Sequence, residues 1–234
     1  VVRQSNRRSI QRPSPRRARR SDARRDGILK AAARIFRDRG FADAGMRDIA
    51  DAADLSPANL YHYFRGKDEL LFYCQDRALD RMLASVDRAR RGPVNAAAQL
   101  REVLAAHVTT MLDEVEGATA HLQVDSLSTV LRRRIVDKRD RYERAVRRIV
   151  ERGLKSGEFS AGDPAIVTRA MLGALNWTAT WFRPDGPTSA DRVGHTIASF
   201  LVRGVEAGTT GTSGTTGTTG TTGTSKLGAG RMNG

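Results

Sequence analysis

Between residues 21 and 206 apolar side chains recur at three- and four-residue intervals, with almost no strand-like alternation, so this part of the chain reads as helical. Ile28, Ala32, Ile35 and Phe36 share one face of a first helix, which Gly40 is placed to close. A second helix is predicted from about Met46 to Ala53. Ser56 followed by Pro57 forms an N-cap and first-turn pair that opens a short third helix. A long fourth helix starts near Lys67, carries Leu71, Cys74, Ala78, Met82 and Val86 on one side, and ends at Gly92-Pro93. A fifth places Leu100, Val103, Leu104, His107, Val108, Met111, Leu112 and Val115 on one apolar face. A sixth is expected from about Thr119 to Thr129. The seventh, near Leu131 to Lys155, is amphipathic and closed by Gly157. Asp163-Pro164 opens an eighth as Ser56-Pro57 opens the third. The loop Arg183-Pro184-Asp185-Gly186-Pro187 then leads to a last helix that carries Val193, Ile197, Phe200, Leu201 and Val205. The expected fold class is all-α, with about nine helices.

Composition separates two flanks from this part. Residues 1–20 are polar, arginine-rich and broken by Pro13 and Pro15, too poor in apolar surface to order themselves, and are expected to be a disordered basic arm. Residues 207–234 are mostly Gly and Thr and are expected to be a disordered tail. The formal charge is +14, and residues 1–25 hold ten arginines against one Asp22, so the arm supplies most of the field. Such a balance points to an acidic partner, most commonly nucleic acid. Cys74 is the only cysteine, which excludes an intrachain disulfide. The first 25 residues lack the apolar core of a signal peptide, and no apolar stretch approaches the ~18 residues of a membrane span, so a cytoplasmic protein is expected.

The informative stretch runs from Gly40 to Leu71. Ile49, Ala50 and Ala53 are spaced to pack one short helix against Leu55, Leu60 and Phe64, through the tight connection Ala53-Asp54-Leu55-Ser56. Two short helices at an angle suit a DNA major groove about 12 Å wide. Periodicity alone equally allows an ordinary helical hairpin. The residues Gly40-Phe41, Ile49-Ala50, Ala53, Leu55-Ser56, Leu60-Tyr61, Phe64, Lys67 and Leu70 resemble the DNA-binding domain of the TetR family of bacterial repressors. The spacing of these positions is continuous from Gly40 to Leu70. It departs from the family pattern at Gly45, where Thr or Ser is usual, at Asp54, where Gly is usual, and at Ala58, another usual Gly.

The resemblance implies a helix-turn-helix DNA-binding domain over residues 21–66. It implies phosphate contacts at Ser56 and Tyr61, with Pro57 beside them at the start of the reading helix. Asn59 and His62 fall at the family's variable positions and are the base-edge candidates; Asn pairs with adenine in a bidentate way. Tyr63 stands where the family usually has His and is a candidate for a backbone or thymine-methyl contact. Arg47 is a backbone candidate, or simply a solvated arginine. Lys67 sits at a helix N-terminus, where its charge and the free amides both favour a phosphate. The arm arginines either follow the DNA backbone or minor groove, or stay solvated and raise non-specific affinity.

For residues 67–206 the resemblance implies a helical ligand-binding and dimerisation domain. Its last two helices, about Pro164–Phe182 and Thr188–Glu206, would pair with those of a second subunit, with Gly173 and Ala174 allowing close approach. Gly173-Ala174-Leu175-Asn176-Trp177 and Trp181 to Pro187 are similar to a subgroup that controls fatty-acid, phenylacetate and sterol breakdown through acyl-CoA effectors. On that reading Met111, Trp177 and Trp181 line an apolar slot, while Arg132, Arg133, Arg134, Lys138 and Arg139 face a nucleotide phosphate. The plainer reading makes the aromatics core and the arginines a solvated face paired with Asp137, Asp140 or Glu143. His107 and His121 are pocket candidates or buried structural histidines. The four histidines lack metal-ligand spacing, and no phosphate-cradling glycine loop or nucleophile elbow is present, so no metal, cofactor or enzymatic activity is expected. The sequence therefore points to a dimeric regulator, released from a pseudo-palindromic double-stranded DNA operator by a small apolar or acyl-CoA-type effector. The alternative is an architectural protein that coats DNA through its arginine arm.

Overall fold

The computed structural model describes residues 15–92, 95–112, 124–160 and 162–207. Residues 1–14, the 208–234 tail, Val115, His121 and the first five residues (119–123) of the expected sixth helix lie outside them; where the rest of that helix was expected, the chain forms a 3-10 turn, Val124–Ser126, and the Ser128 cap of the next helix. Among the described residues the architecture is all-α, with eight α-helices: α1 (Pro15–Asp43), α2 (Met46–Ala52), α3 (Pro57–Tyr63), α4 (Lys67–Arg91), α5 (Ala96–Leu112), α6 (Thr129–Ser156), α7 (Pro164–Trp181) and α8 (Ala190–Arg203). The 3-10 turn, Val124–Ser126, precedes α6.

α1 begins at Pro15, so residues 15–20, expected without order, are helical. Proline suits a first helical position because its missing N–H would have had no partner there. Gly40 breaks the helical path at φ 75° and ψ 167°, a conformation that favours glycine, and the chain turns there towards α2.

α1, α2 and α3 form a head around Ile28, Ala32, Phe36, Ile49, Leu60 and Phe64, all almost fully buried. The head has no separate core. α4 runs out of it, and its buried Leu70, Leu71, Phe72, Cys74 and Leu79 continue the same apolar cluster into the body. There α5 is the central helix, packed by α4, α6, α7 and α8. The α5–α8 crossing is close because Gly194 faces α5, where a Cβ would stand 2.9 Å from the Ala105 carbonyl oxygen. Gly157 closes α6 at φ 77°, and Phe159 folds back so that its ring lies on Gly153, which leaves no room for a side chain there.

Candidate nucleic-acid interface and internal cavity

α3 is built to be held by one face and offered by the other. Ser56 Oγ accepts from the Asn59 backbone N–H at 3.2 Å, and Pro57 takes the first helical position. Leu60 and Phe64 are buried beneath it, and Arg25 lies over the Phe64 ring with 5.9 Å to the centroid. Ser56, Pro57, Ala58, Asn59, Tyr61 and His62 are exposed, Tyr61 by 52 %. Tyr63 is half-buried against the core and belongs more to the scaffold than to the outer face.

The preceding turn is fixed by Asp54, which adopts φ 54° in the left-handed region. The Leu55 N–H donates to the Ala50 carbonyl at 2.9 Å. Arg24 of α1 donates to the Asp54 carbonyl at 3.1 Å and clamps α1 to the turn. At the start of α2, Gly45 has no hydroxyl, but the Asp48 carboxylate accepts from the Gly45 N–H at 3.1 Å and pairs with Arg39 at 2.9 Å. Arg47 is exposed. The sequence reading did not single out Arg24 or Arg39; their signal was only a dense run of arginines along the first helix.

Lys67 departs from expectation. Its ammonium donates to the carbonyls of Phe41 and Ala42 at 2.9 Å and of Ala44 at 3.4 Å, and sits 4.8 Å from the Phe41 ring centroid. Three acceptors meet its three donors, so the side chain ties off the carbonyls after α1 rather than facing a phosphate.

In the body, a cavity of about 220 Å³ lies between α4, α5, α6 and α7. Leu79, Met82 and Leu172 supply its apolar walls, and His107, Arg139, Asp140, Tyr142, Glu143 and Asn176 its polar ones. His107 is buried and bonded at both ring nitrogens. Nε2 lies 3.2 Å from Asn176 Oδ1, an acceptor, so Nε2 carries the proton; Met111 Sδ is 3.1 Å from the same nitrogen. Nδ1 then accepts from the Tyr142 hydroxyl at 3.2 Å. Burial pushes the imidazole down to about 4, partly offset by the Asn176 hydrogen bond, so the ring is neutral. Burial likewise raises the Tyr142 phenol, which stays protonated. Burial also lowers Arg139, against the pull of Asp125.

His107 thus lines the cavity and is also a satisfied buried histidine, while Met111 contacts it from within the core. The other expected ligand contacts lie elsewhere. Trp177 and Trp181 are 68 % and 50 % exposed on the outer side of α7 and do not line this cavity. Arg134 stacks on the Phe72 ring at 4.6 Å. Lys138 bonds to the Asp76 and Asp80 carboxylates of α4 at 2.6 and 2.8 Å. The basic side of α6 meets an acidic side of α4, and that pairing takes up Lys138 before any phosphate is present. Of the expected basic run, only Arg139 reaches the cavity. Asn176 and Glu143 were not foreseen as lining residues.

Among the described residues no group of three or more His, Cys, Asp or Glu gathers as a metal site, and no helix is long and apolar enough to cross a membrane. A capped, outward-facing α3 on a buried scaffold, joined through α4 to a helical body with a cavity, defines a two-part helix-turn-helix protein. Residues 28–74 match the family described as bacterial regulatory proteins, tetR family, and residues 93–205 match the tetracyclin repressor-like C-terminal domain. The chain is 35% identical to the TetR family transcriptional regulator PfmR of Thermus thermophilus, with a TM-score of 0.70 over 77% of this chain and 99% of that one. It is 26% identical over 196 residues to the HTH-type transcriptional repressor KstR2 of Mycolicibacterium smegmatis, covering 78% of this chain and 91% of the relative. It shares the fold of AibR, solved with isovaleryl coenzyme A and operator DNA, at 24% identity and a TM-score of 0.65 over 78% of this chain and 98% of AibR. The chain belongs to the TetR family of DNA-binding transcriptional regulators.

Proposed function

We propose that the protein is a ligand-responsive repressor that acts as a homodimer and leaves a pseudo-palindromic operator when a small, largely apolar effector enters the cavity between α4 and α7. One observation carries this reading: α4 is shared by both ends. Its Leu79 and Met82 wall the cavity. Its Arg77 holds Asp26 of α1 in a two-pronged ion pair, and its Lys67 holds the turn before α2. A ligand that moves α4 therefore moves the head. Two reading helices must sit roughly 34–36 Å apart to fit successive major grooves, and a ligand with higher affinity for another spacing shifts the dimer away from DNA. Ser56, Pro57, Asn59, Tyr61 and His62 make the DNA contacts, with Arg47 on the backbone. Residues 21–66 form the reading head and 67–206 the effector and dimer domain.

Of the two effector chemistries raised by the sequence, the compact apolar one is better supported. Trp177, Trp181, Arg134 and Lys138, which carried the acyl-CoA reading, do not line the cavity. Its volume also lies below the ~300–1,000 Å³ usual for pockets that enclose a whole drug-sized ligand. An acyl-CoA would place only its acyl end inside. The repressor sense follows the KstR2 relative.

The test is selection of bound sequences from random DNA with the full chain, followed by anisotropy titration against short-chain acyl-CoAs and compact apolar compounds. A discrete inverted repeat, retained after deletion of residues 1–14 (which leaves α1 whole), supports the regulator. Sequence-independent binding that vanishes with that deletion supports the DNA-coating alternative.

A further inference from the structure

We infer that the cavity selects an effector carrying a hydrogen-bond donor, a hydroxyl or an ammonium on an apolar body, and that Glu143 is the residue that receives it. The inference rests on the regulator reading of this same cavity and narrows its ligand. Glu143 lines the cavity from α6. Its Oε1 is buried and has no hydrogen-bond partner among the described residues. Its other oxygen is 3.8 Å from the Arg147 guanidinium, too far for a hydrogen bond. A carboxylate oxygen hidden from water and left unpaired is costly, and a donor from a bound molecule relieves that cost.

The neighbouring groups sharpen the choice. Tyr142 spends its proton on His107 Nδ1, and His107 spends its own on Asn176 Oδ1. The Tyr142 oxygen therefore offers the cavity a lone pair, not a proton. Among the lining groups two carboxylates, Asp140 and Glu143, stand with one guanidinium, Arg139, whose charge is drawn towards Asp125, while Arg147, outside the lining, approaches only the other Glu143 oxygen. A ligand anion would meet the unpaired Glu143 oxygen, and a ligand with only acceptors leaves that oxygen unsatisfied. A neutral or cationic donor meets both lone pairs, while Leu79, Met82 and Leu172 take the apolar body.

The test holds the apolar body constant and changes the head. Cyclohexanol, cyclohexylamine, cyclohexanone and cyclohexanecarboxylate are titrated into the full-length protein by calorimetry and ligand-observed NMR at pH 7. The alcohol and the protonated amine should bind at least tenfold more tightly than the ketone, and the carboxylate most weakly. Glu143→Leu should level the alcohol with the ketone, and Glu143→Gln, close in shape, should remove at least tenfold of the amine's advantage. A ketone that binds as well as the alcohol, an alcohol preference that survives Glu143→Leu, or binding by none of the four overturns the inference. Failure of the regulator reading looks different: the head-group preference and its loss in the variants persist, while operator affinity ignores every ligand.

Discussion

Asp54 holds a backbone conformation that costs an L-residue with a side chain about 1 kcal/mol or more, less for Asp than for branched residues. Its functional contact is the carbonyl that receives Arg24, and a substitution leaves that oxygen in place. Asp54→Gly should therefore raise unfolding stability in urea by about 1 kcal/mol, and Asp54→Val should lower it. His107 makes a pH-dependent counterpart. Its imidazole titrates near 4 in the folded protein, against about 6.5 in an unfolded chain. Between these values the unfolded chain holds a proton that the folded one lacks, so stability falls as the pH drops from about 6.5 to 4. Over that window the group accounts for about 3 kcal/mol. Denaturant midpoints of the wild type and His107→Gln, compared at about pH 7 and about pH 4.5, should show the wild type losing more. Equal losses would mean that His107 is not held neutral.

At the level of elements, α3 and α4 follow one another directly but do different jobs. α3 was legible because its information is local: Ser56 and Pro57 mark its start, and the Leu60-Phe64 spacing fixes its buried face. Lys67 was misread for a matching reason. A lysine at a helix start reads as an anion site, and nothing nearby in sequence reveals that the carbonyls of Phe41, Ala42 and Ala44 converge on it. Lys138 repeats the lesson, since its carboxylate partners lie on α4 and not on its own helix. The cavity was out of reach because four helices make it. Periodicity tells which side of α6 or α7 is apolar, but not what stands opposite. Two substitutions separate the roles of the neighbours. Lys67→Met should destabilise the fold by about 2 kcal/mol through lost charged hydrogen bonds and leave the salt slope of operator binding unchanged; a phosphate contact would lower that slope by about one. Asn59→Ala should leave stability and salt slope alone and weaken discrimination at one operator base pair, by about 1–3 kcal/mol.

For the whole molecule, the decisive feature is an apolar face that none of the other described residues covers. Ile166, Trp177 and Trp181 on α7 and Phe200 on α8 are each at least half exposed, beside an apolar groove bounded by Val167, Met171 and Leu201. Gly173, with open space around its Cβ position, lies on the same side of α7. Soluble monomers seldom expose so much large apolar surface, and aromatic anchors around small residues suit a self-complementary two-fold contact. The sequence assigned these two helices to pairing but also assigned the tryptophans to a slot. On a helix, a stripe facing a partner and a stripe facing a cavity have the same period. The two assignments diverge on mutation. If Trp177 and Phe200 anchor the dimer, Trp177→Glu with Phe200→Glu should give a folded monomer by sedimentation velocity. Circular dichroism should be unchanged, because both side chains already face water in the single chain. Operator affinity should then fall by about a hundredfold or more, since the second half-site no longer binds at a high effective concentration, while a single half-site is bound as weakly as by one wild-type head. The cavity is walled within one chain, so its ligands should bind the monomer with unaltered affinity. A double variant that stays dimeric, or that keeps full operator affinity as a monomer, would remove the two-headed reading of DNA.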